Sequence, residues 1–407
     1  WRRMNGLVAI TLGALGLGLL YLARNLELNR KKESRYLVKS LVVYPIKSCG
    51  AVNLQTAVIG PHGFLLDRHW VVVREDEASF ITQRELPQMA LIQISFEYGP
   101  GERRADNDNV VALVLNAPGK ETLKVYIGNS EDEDERPQRT ISVWKVPLSG
   151  KDEGDAAADW LSDYLGRRVR LYGMAADYER NMGWENAEKF IAPTKFEQEG
   201  SLSQDQVRSG IVLDASFVDD HPFLLLSTDS VEDVNNHLRA QGKSPVGPDR
   251  FRANIIVEPT ALPLIKFRRT AINSSTSYPG YSTQPRGFIE DSWGHITFVP
   301  ASGPKTTKKS VDLISVGKKT RCRLTTVVPD IGEYPPRLLA DGSENPDFNE
   351  PLAMLRKYRT FEKYGPSPAC GQTFAFHRTS IGNIVTVGSE VLPFTFVDEG
   401  VASEPAE

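Results

Sequence analysis

Val316-Gly-Lys-Lys-Thr-Arg-Cys-Arg-Leu-Thr-Thr-Val-Val-Pro-Asp330 is the stretch on which the reading of this chain turns. Cys322, Leu324 and Thr326 alternate with Arg323, Thr325 and Val327, a period of two that predicts a β-strand. Lys318, Lys319, Arg321 and Arg323 flank the cysteine. Nearby positive charge favours thiolate over thiol, and the thiolate is the form that attacks electrophiles or binds soft metals. By residue type alone, a single cysteine on a strand is more often an inert core residue. Its meaning therefore depends on its company elsewhere in the chain.

The bulk properties exclude several classes. A chain of 407 residues can bury a large core and suggests two or three domains. The formal net charge of -4 gives no global basic field for nucleic acid. Three cysteines (Cys49, Cys322 and Cys370) cannot build a disulfide scaffold or a four-cysteine zinc or iron–sulfur site. Six histidines without HxxxH or HExxH spacing argue against a histidine-based metal site. A reducing compartment fits this cysteine usage.

Gly6 to Ala23 carries no charge. As a helix it would reach about 27 Å, near the hydrocarbon thickness of a bilayer. Arg24, Arg30, Lys31, Lys32, Arg35 and Lys39 follow it, against Arg2 and Arg3 before it. The positive-inside rule then predicts an uncleaved transmembrane anchor with the bulk of the protein facing the cytosol. Residues 1–35 are expected to be that anchor and a charged tether.

From Tyr36 the pattern predicts short strands: Leu37 to Tyr44, Trp70 to Arg74, Phe80 to Thr82, Phe223 to Leu226, Ala253 to Val257 and Asn383 to Val387. Three helices are expected. One runs from a cap at Asp155 to a stop at Gly166, and one follows Ser227 with Asp229 and Glu232 spaced as a capping box. The third spans about Glu350 to Tyr358. Residues 268–287 and 333–350 read as long surface loops, and the acidic run Glu131 to Glu135 as an exposed turn. The fold class is α+β, predominantly β, divided near residue 190.

Cationic and polar residues gather at strand ends and turns. Tyr44-Pro-Ile-Lys-Ser-Cys-Gly50 offers Lys47, the Ser48 hydroxyl and backbone N–H groups, a combination suited to a phosphate or other anion. Arg68 opens a strand, and Arg252 and Asn254 stand two apart, hence on one face. Taken singly, each such arginine is an ordinary surface or salt-bridged residue. No GxGxxG, P-loop, GxSxG or kinase signature is present.

Taken together and in order, these segments resemble a known family. Val43 to Gly50, Leu66 to Val73 and Ile81 to Pro87 are similar to the N-terminal β-barrel-like domain of MOSC proteins. Asp220 to Ser227, Arg250 to Val257, Glu290 to Trp293, Thr320 to Gly332 and Tyr364 to Gln372 resemble the MOSC domain of the mitochondrial amidoxime-reducing components. The matches run through residues 36–395. The resemblance implies a MOSC-type β-barrel-like domain over 36–190 and a MOSC β-barrel domain over 191–400.

It further implies a molybdenum cofactor, a pterin dithiolene with a phosphate tail. Cys322 occupies the position of the cysteine that completes the metal's coordination. Lys47, Ser48, Arg68, Arg252 and Asn254 match cofactor-binding positions. Thr320 and Arg321 precede the ligand, Asp220 and His221 match a cofactor-contacting turn, and Thr373 stands where relatives carry a larger contact. Independently of the family, an anionic pterin phosphate wants Lys and Arg, with Arg able to bind it bidentately. The implied activity is reduction of amidoximes, hydroxamic acids and N-hydroxyguanidines. Electrons would come from cytochrome b5 and its NADH-dependent reductase, at the mitochondrial outer membrane.

Departures from the family pattern include Cys370, in place of an aromatic before Gly371-Gln372, and Asp220 and His221 in place of smaller hydroxylated residues. A plain core role is expected for Cys370. Two alternatives stay open: a molybdenum-cofactor carrier or sulfur-transfer module without N-reductase activity, and a membrane scaffold that has lost its metal.

Overall fold

The computed structural model describes residues 36–128, 136–182, 209–260, 287–300 and 310–396. The expected anchor and tether (1–35), the acidic run 131–135, the boundary near 190 and residues 268–286 of the first predicted loop lie outside the described residues. Among the described residues, no helix is long and apolar enough to cross a membrane.

Seven strands close into a ring: β1 (Tyr36–Val43), β2 (Phe223–Ser227), β3 (Ile255–Pro259), β4 (Trp293–Val299), β5 (Val311–Thr320), β6 (Ala369–His377) and β7 (Glu390–Phe396). The order is β6-β2-β3-β1-β7-β4-β5, and β5 pairs again with β6. Strand β1 is more than 200 residues before its neighbour β3, yet pairs with it antiparallel from Tyr36–Pro259 to Leu41–Ile255. The first predicted strand thus completes a barrel built mostly from the second half of the chain. Closure leaves no free edge among the seven strands, which removes the usual hazard of an exposed sheet rim.

Alternation along β2 assigns its two faces. Phe223 and Leu225 point into the barrel with Phe374, Phe376 and Trp293, while Leu224 and Leu226 point outward onto two helices. Those helices are α2 (Thr228–Ala240) and α3 (Leu352–Tyr358), following α1 (Asp155–Leu165) in the chain. Helix α2 buries Val231, Val234 and Leu238, the stripe read from the sequence. Its cap differs from the expected one: Ser227 Oγ accepts from Ser230 N at 3.1 Å, and Asp229 sits in the first turn. Helix α1 likewise has Gly154 at its N-cap rather than Asp155, and ends where Gly166 turns left-handed.

The other half of the described chain forms smaller antiparallel sheets. Trp70–Arg74, Val169–Met174, Val146–Asp152 and Gln138–Val143 make a four-stranded one. Helix α1 packs beside it through Ala157, Trp160, Leu161 and Leu165, in a cluster with Val72, Ile81 and Leu171. Phe80 to Thr82, expected as a strand, makes only an isolated bridge from Phe80 to Val73. Residues 333–350 are irregular and leave Leu338 and Leu339 exposed, as a surface loop should.

Phe374 is fully buried inside the barrel. Phe374→Ala is expected to cost ~3–5 kcal/mol, read as a lower urea midpoint at nearly unchanged slope.

Candidate functional site

The segments leaving β1 and β5 and those entering β2 and β3 converge on a cavity of about 390 Å³. All eleven residues singled out in the sequence line it: Lys47, Ser48, Arg68, Asp220, His221, Arg252, Asn254, Thr320, Arg321, Cys322 and Thr373. They come from positions up to 326 residues apart in the chain, so only the folded barrel brings them together.

Cys322 is the exposed member of the three cysteines; Cys49 and Cys370 are buried. Burial pushes both of those thiols up to about 12, and Cys370 packs in the cluster under α2 and α3. The strand predicted through Cys322 ends at Thr320. Cys322 instead starts a 3-10 turn (Arg323–Thr326) in which the Thr325 and Thr326 hydroxyls donate to the carbonyls of Cys322 and Arg323, both three residues back. Such local bonds offer the backbone an alternative to a sheet ladder.

The cations near Cys322 in sequence do not supply its hydrogen bond. Lys318 is buried against Asp291 at 2.9 Å, and Lys319 pairs with Asp220. Arg323 stacks on Tyr334. Arg321 gives its guanidinium to the carbonyls of Phe251 (2.9 Å) and Cys370 (2.7 Å from Nε). The Cys322 sulfur accepts from Arg84 Nε at 3.2 Å, across 238 residues. Arg84 also reaches Asp219 at 3.4 Å.

Asp219 organises the opposite wall. Burial alone would raise its carboxyl, but Lys47, Lys319 and Arg84 outweigh burial and hold it well below the usual carboxylate range. Lys47 donates to it and to Phe217 O at 2.8 Å. Burial pushes the Lys47 ammonium down to about 8, with Asp219 opposing. The backbone of the Lys47 turn is less available than expected: the N–H groups of Lys47, Cys49 and Gly50 donate to Trp70, Ile46 and Ile92 carbonyls.

Arg68 and Arg252 both stack on Tyr44, at 4.3 and 4.0 Å from its ring centre. Arg68 is neutralised by Asp67, at 2.8 and 2.6 Å. Arg252 has no such partner among the described residues. Its Nη1 donates to Cys49 O at 2.9 Å, and its buried Nη2 has no hydrogen-bond partner among the described residues. Burial pushes its pKa down to about 10, which still leaves it charged at neutral pH. Both ring nitrogens of His221 are also buried and unpartnered, and burial pushes that imidazole down to about 4. A guanidinium with a spare buried donor and an imidazole with two unpartnered nitrogens, both lining one cavity, call for a polar ligand, and the guanidinium charge favours an anionic one.

Backbone strain marks the same place. Ser48, Arg68 and Arg252 all take left-handed φ, 69°, 46° and 54°. Non-glycine residues there cost free energy and cluster at ligand sites. Arg68 thus lies in the turn before its strand, and Arg252 lies after a 3-10 turn, not on a shared strand face with Asn254. Asn254 instead ties two strands, accepting from Leu224 N and donating to Val42 O, both at 3.2 Å. Thr373 donates to Gly317 O at 2.7 Å. These two side chains shape the wall more than they offer contacts.

Sequence reading missed Arg84, Trp144, Asp219 and Arg250, which also line the cavity. Arg84 and Arg250 fell inside segments quoted for their resemblance, and Asp219 adjoins Asp220. Nothing local distinguished Trp144.

Comparison with known proteins matches two family models to the chain. Residues 35–168 match the MOSC N-terminal beta barrel domain and residues 213–392 match the MOSC domain. The chain is 27% identical over 395 residues to "Mitochondrial amidoxime-reducing component 1" of Danio rerio, covering 95% of this chain and 93% of that protein. It is 26% identical over 381 residues to the Mus musculus protein of the same name, covering 91% and 87%. "Molybdenum cofactor sulfurase" of Bos taurus is 26% identical over 233 residues, 55% of this chain but 23% of that protein. With both domains matched in order and a barrel that joins them, the chain belongs to the MOSC-domain family and is similar over nearly its whole length to the mitochondrial amidoxime-reducing components.

Proposed function

We propose that the cavity holds a molybdenum cofactor through Cys322 and that the protein reduces N-hydroxylated compounds. The observation that carries this reading is an exposed thiol at a cavity where Arg252 Nη2 has no hydrogen-bond partner among the described residues. A soft sulfur donor suits molybdenum, and spare guanidinium donors suit a pterin phosphate. Cys322 would be the protein ligand. Lys47, Arg68 and Arg252 would bind the anionic tail, with Ser48, Asp220 and His221 completing the wall. Thr320, Arg321, Asn254 and Thr373 would position the backbone around it.

The bound cofactor supplies two-electron redox chemistry able to break an N–O bond. Conversion of an amidoxime to an amidine and water consumes two electrons and two protons. The chain has no flavin or cluster motif of its own, so the electrons must arrive from outside. Cytochrome b5 and its NADH-dependent reductase are the donors in this reading. An anchor formed by residues 6–23 would hold the protein at the mitochondrial outer membrane with the cavity facing the cytosol. Arg84, bonded to the Cys322 sulfur, would help fix that ligand's direction.

Purified wild type is expected to carry stoichiometric molybdenum and to reduce benzamidoxime when supplied with cytochrome b5, its reductase and NADH. Cys322→Ser should lower turnover roughly 100-fold or more, since even outer partners of metal ligands cost 10–100-fold. Unchanged turnover in the variant would reject the ligand role. Wild type that holds molybdenum yet leaves benzamidoxime intact would favour the carrier reading.

Lys47 adds a pH dependence. With its ammonium pushed down to about 8 by burial, it is charged below that pH and neutral above. Affinity of the cofactor-free protein for inorganic pyrophosphate should therefore weaken roughly tenfold from pH 7 to pH 9.5. Calorimetric titration of Lys47→Met should show a flatter profile.

A further inference from the structure

The hairpin between Gln138–Val143 and Val146–Asp152 is closed by two residues, since Val143 pairs with Val146. Those residues are Trp144 and Lys145, and both take positive φ, 53° and 66°. Two-residue hairpin turns with positive φ at both positions strongly favour Asn-Gly, Asp-Gly or Gly-Gly. A tryptophan and a lysine there are strained, at a turn where smaller residues would fold more easily. The strain is not offset by burial, because Trp144 remains 44% exposed.

Its surroundings show what the indole does. Trp144 Nε1 donates to Asp219 Oδ1 at 3.2 Å. The Phe80 ring meets it edge-on at 5.1 Å. The Arg84 guanidinium lies 4.9 Å from its ring centre, and that same guanidinium donates to the Cys322 sulfur. The indole is thus held by three partners, lines the cavity and stands one guanidinium away from the proposed metal ligand. Rigid aromatic side chains with an open surface give large contact area at low entropy cost, and they attract flat π-systems or planar cations.

Resting on the function proposed above, we propose that Trp144 is a specificity-determining platform that selects N-hydroxylated substrates carrying an aromatic ring next to the reducible group. The ring of an aryl amidoxime packs on the indole while the N–O group reaches toward Cys322. An alkyl amidoxime of the same chemistry lacks that contact. Aromatic pairing contributes enough to shift relative efficiency about two- to tenfold.

The test compares benzamidoxime with acetamidoxime on the full protein loaded with its cofactor, in wild type, Trp144→Ala and Trp144→Phe. The ratio of kcat/KM for the aryl substrate to that for the alkyl substrate should fall about two- to tenfold in Trp144→Ala. It should stay within about twofold of wild type in Trp144→Phe, where a ring is retained. A merely structural role moves both substrates together and leaves the ratio unchanged, and that result would overturn the proposal. A fluorescence titration keeps the two readings separable. Benzamidoxime should quench wild type more than Trp144→Phe, the difference isolating the Trp144 indole among the six tryptophans. Absence of turnover with any substrate would sink the N-reductase reading, while equal quenching in the two proteins would still refute the platform.

Discussion

The buried guanidinium of Arg321 is the interaction on which the site depends. It bridges the carbonyls of Phe251 and Cys370, linking the segment before β3 to the start of β6. The backbone N–H of Arg321 donates to Pro368 O at 2.7 Å, where the pairing of β5 with β6 runs out at Thr320 and Ala369. The chain leaving β5 is thereby pinned from both its backbone and its side chain one residue before Cys322. Gly371 makes room for this. A Cβ there would lie 2.9 Å from Leu225 O and 3.2 Å from Arg321 Nη2, and its φ of 81° is left-handed. Barrel closure and cysteine placement are in this sense one constraint.

A second level of order is electrostatic. Cations outnumber acids around the cavity, and Asp219 is the shared counter-charge that lets Lys47, Arg84 and Lys319 approach one another. Asp67 does the same for Arg68. Arg250 and Arg321 spend their donors on carbonyls, whereas Arg252, stacked on Tyr44, keeps an Nη2 with no hydrogen-bond partner among the described residues. A protein interior tolerates such a group poorly unless a ligand completes it. The charge balance therefore points to an anionic guest, whatever its chemical detail.

Much of the fold was legible because it is written in local periodicity. Trp70 to Arg74, the buried face of α2 and the glycine stop of α1 follow from a continuous β-branched run, helical spacing and caps. The ring closure was not legible, since β1 pairs with a strand over 200 residues later and no local signal specifies that partner. For the site, the cationic turns and the cysteine were readable as residue types in an order that resembles a family. Their true bonding was not. The sulfur's donor is Arg84 rather than any of its four cationic neighbours, because Lys318 faces Asp291 and Arg321 is consumed by carbonyls. The threonines after Cys322, read as strand formers, turn the chain instead by bonding back to its carbonyls.

The central claim is that the Cys322 sulfur completes the metal's coordination shell. X-ray absorption at the molybdenum edge of the loaded wild-type protein counts that shell directly. The account predicts one more sulfur neighbour than the pterin dithiolene alone supplies. A shell holding only the dithiolene sulfurs, with Cys322 still open to alkylation in the loaded protein, would contradict it.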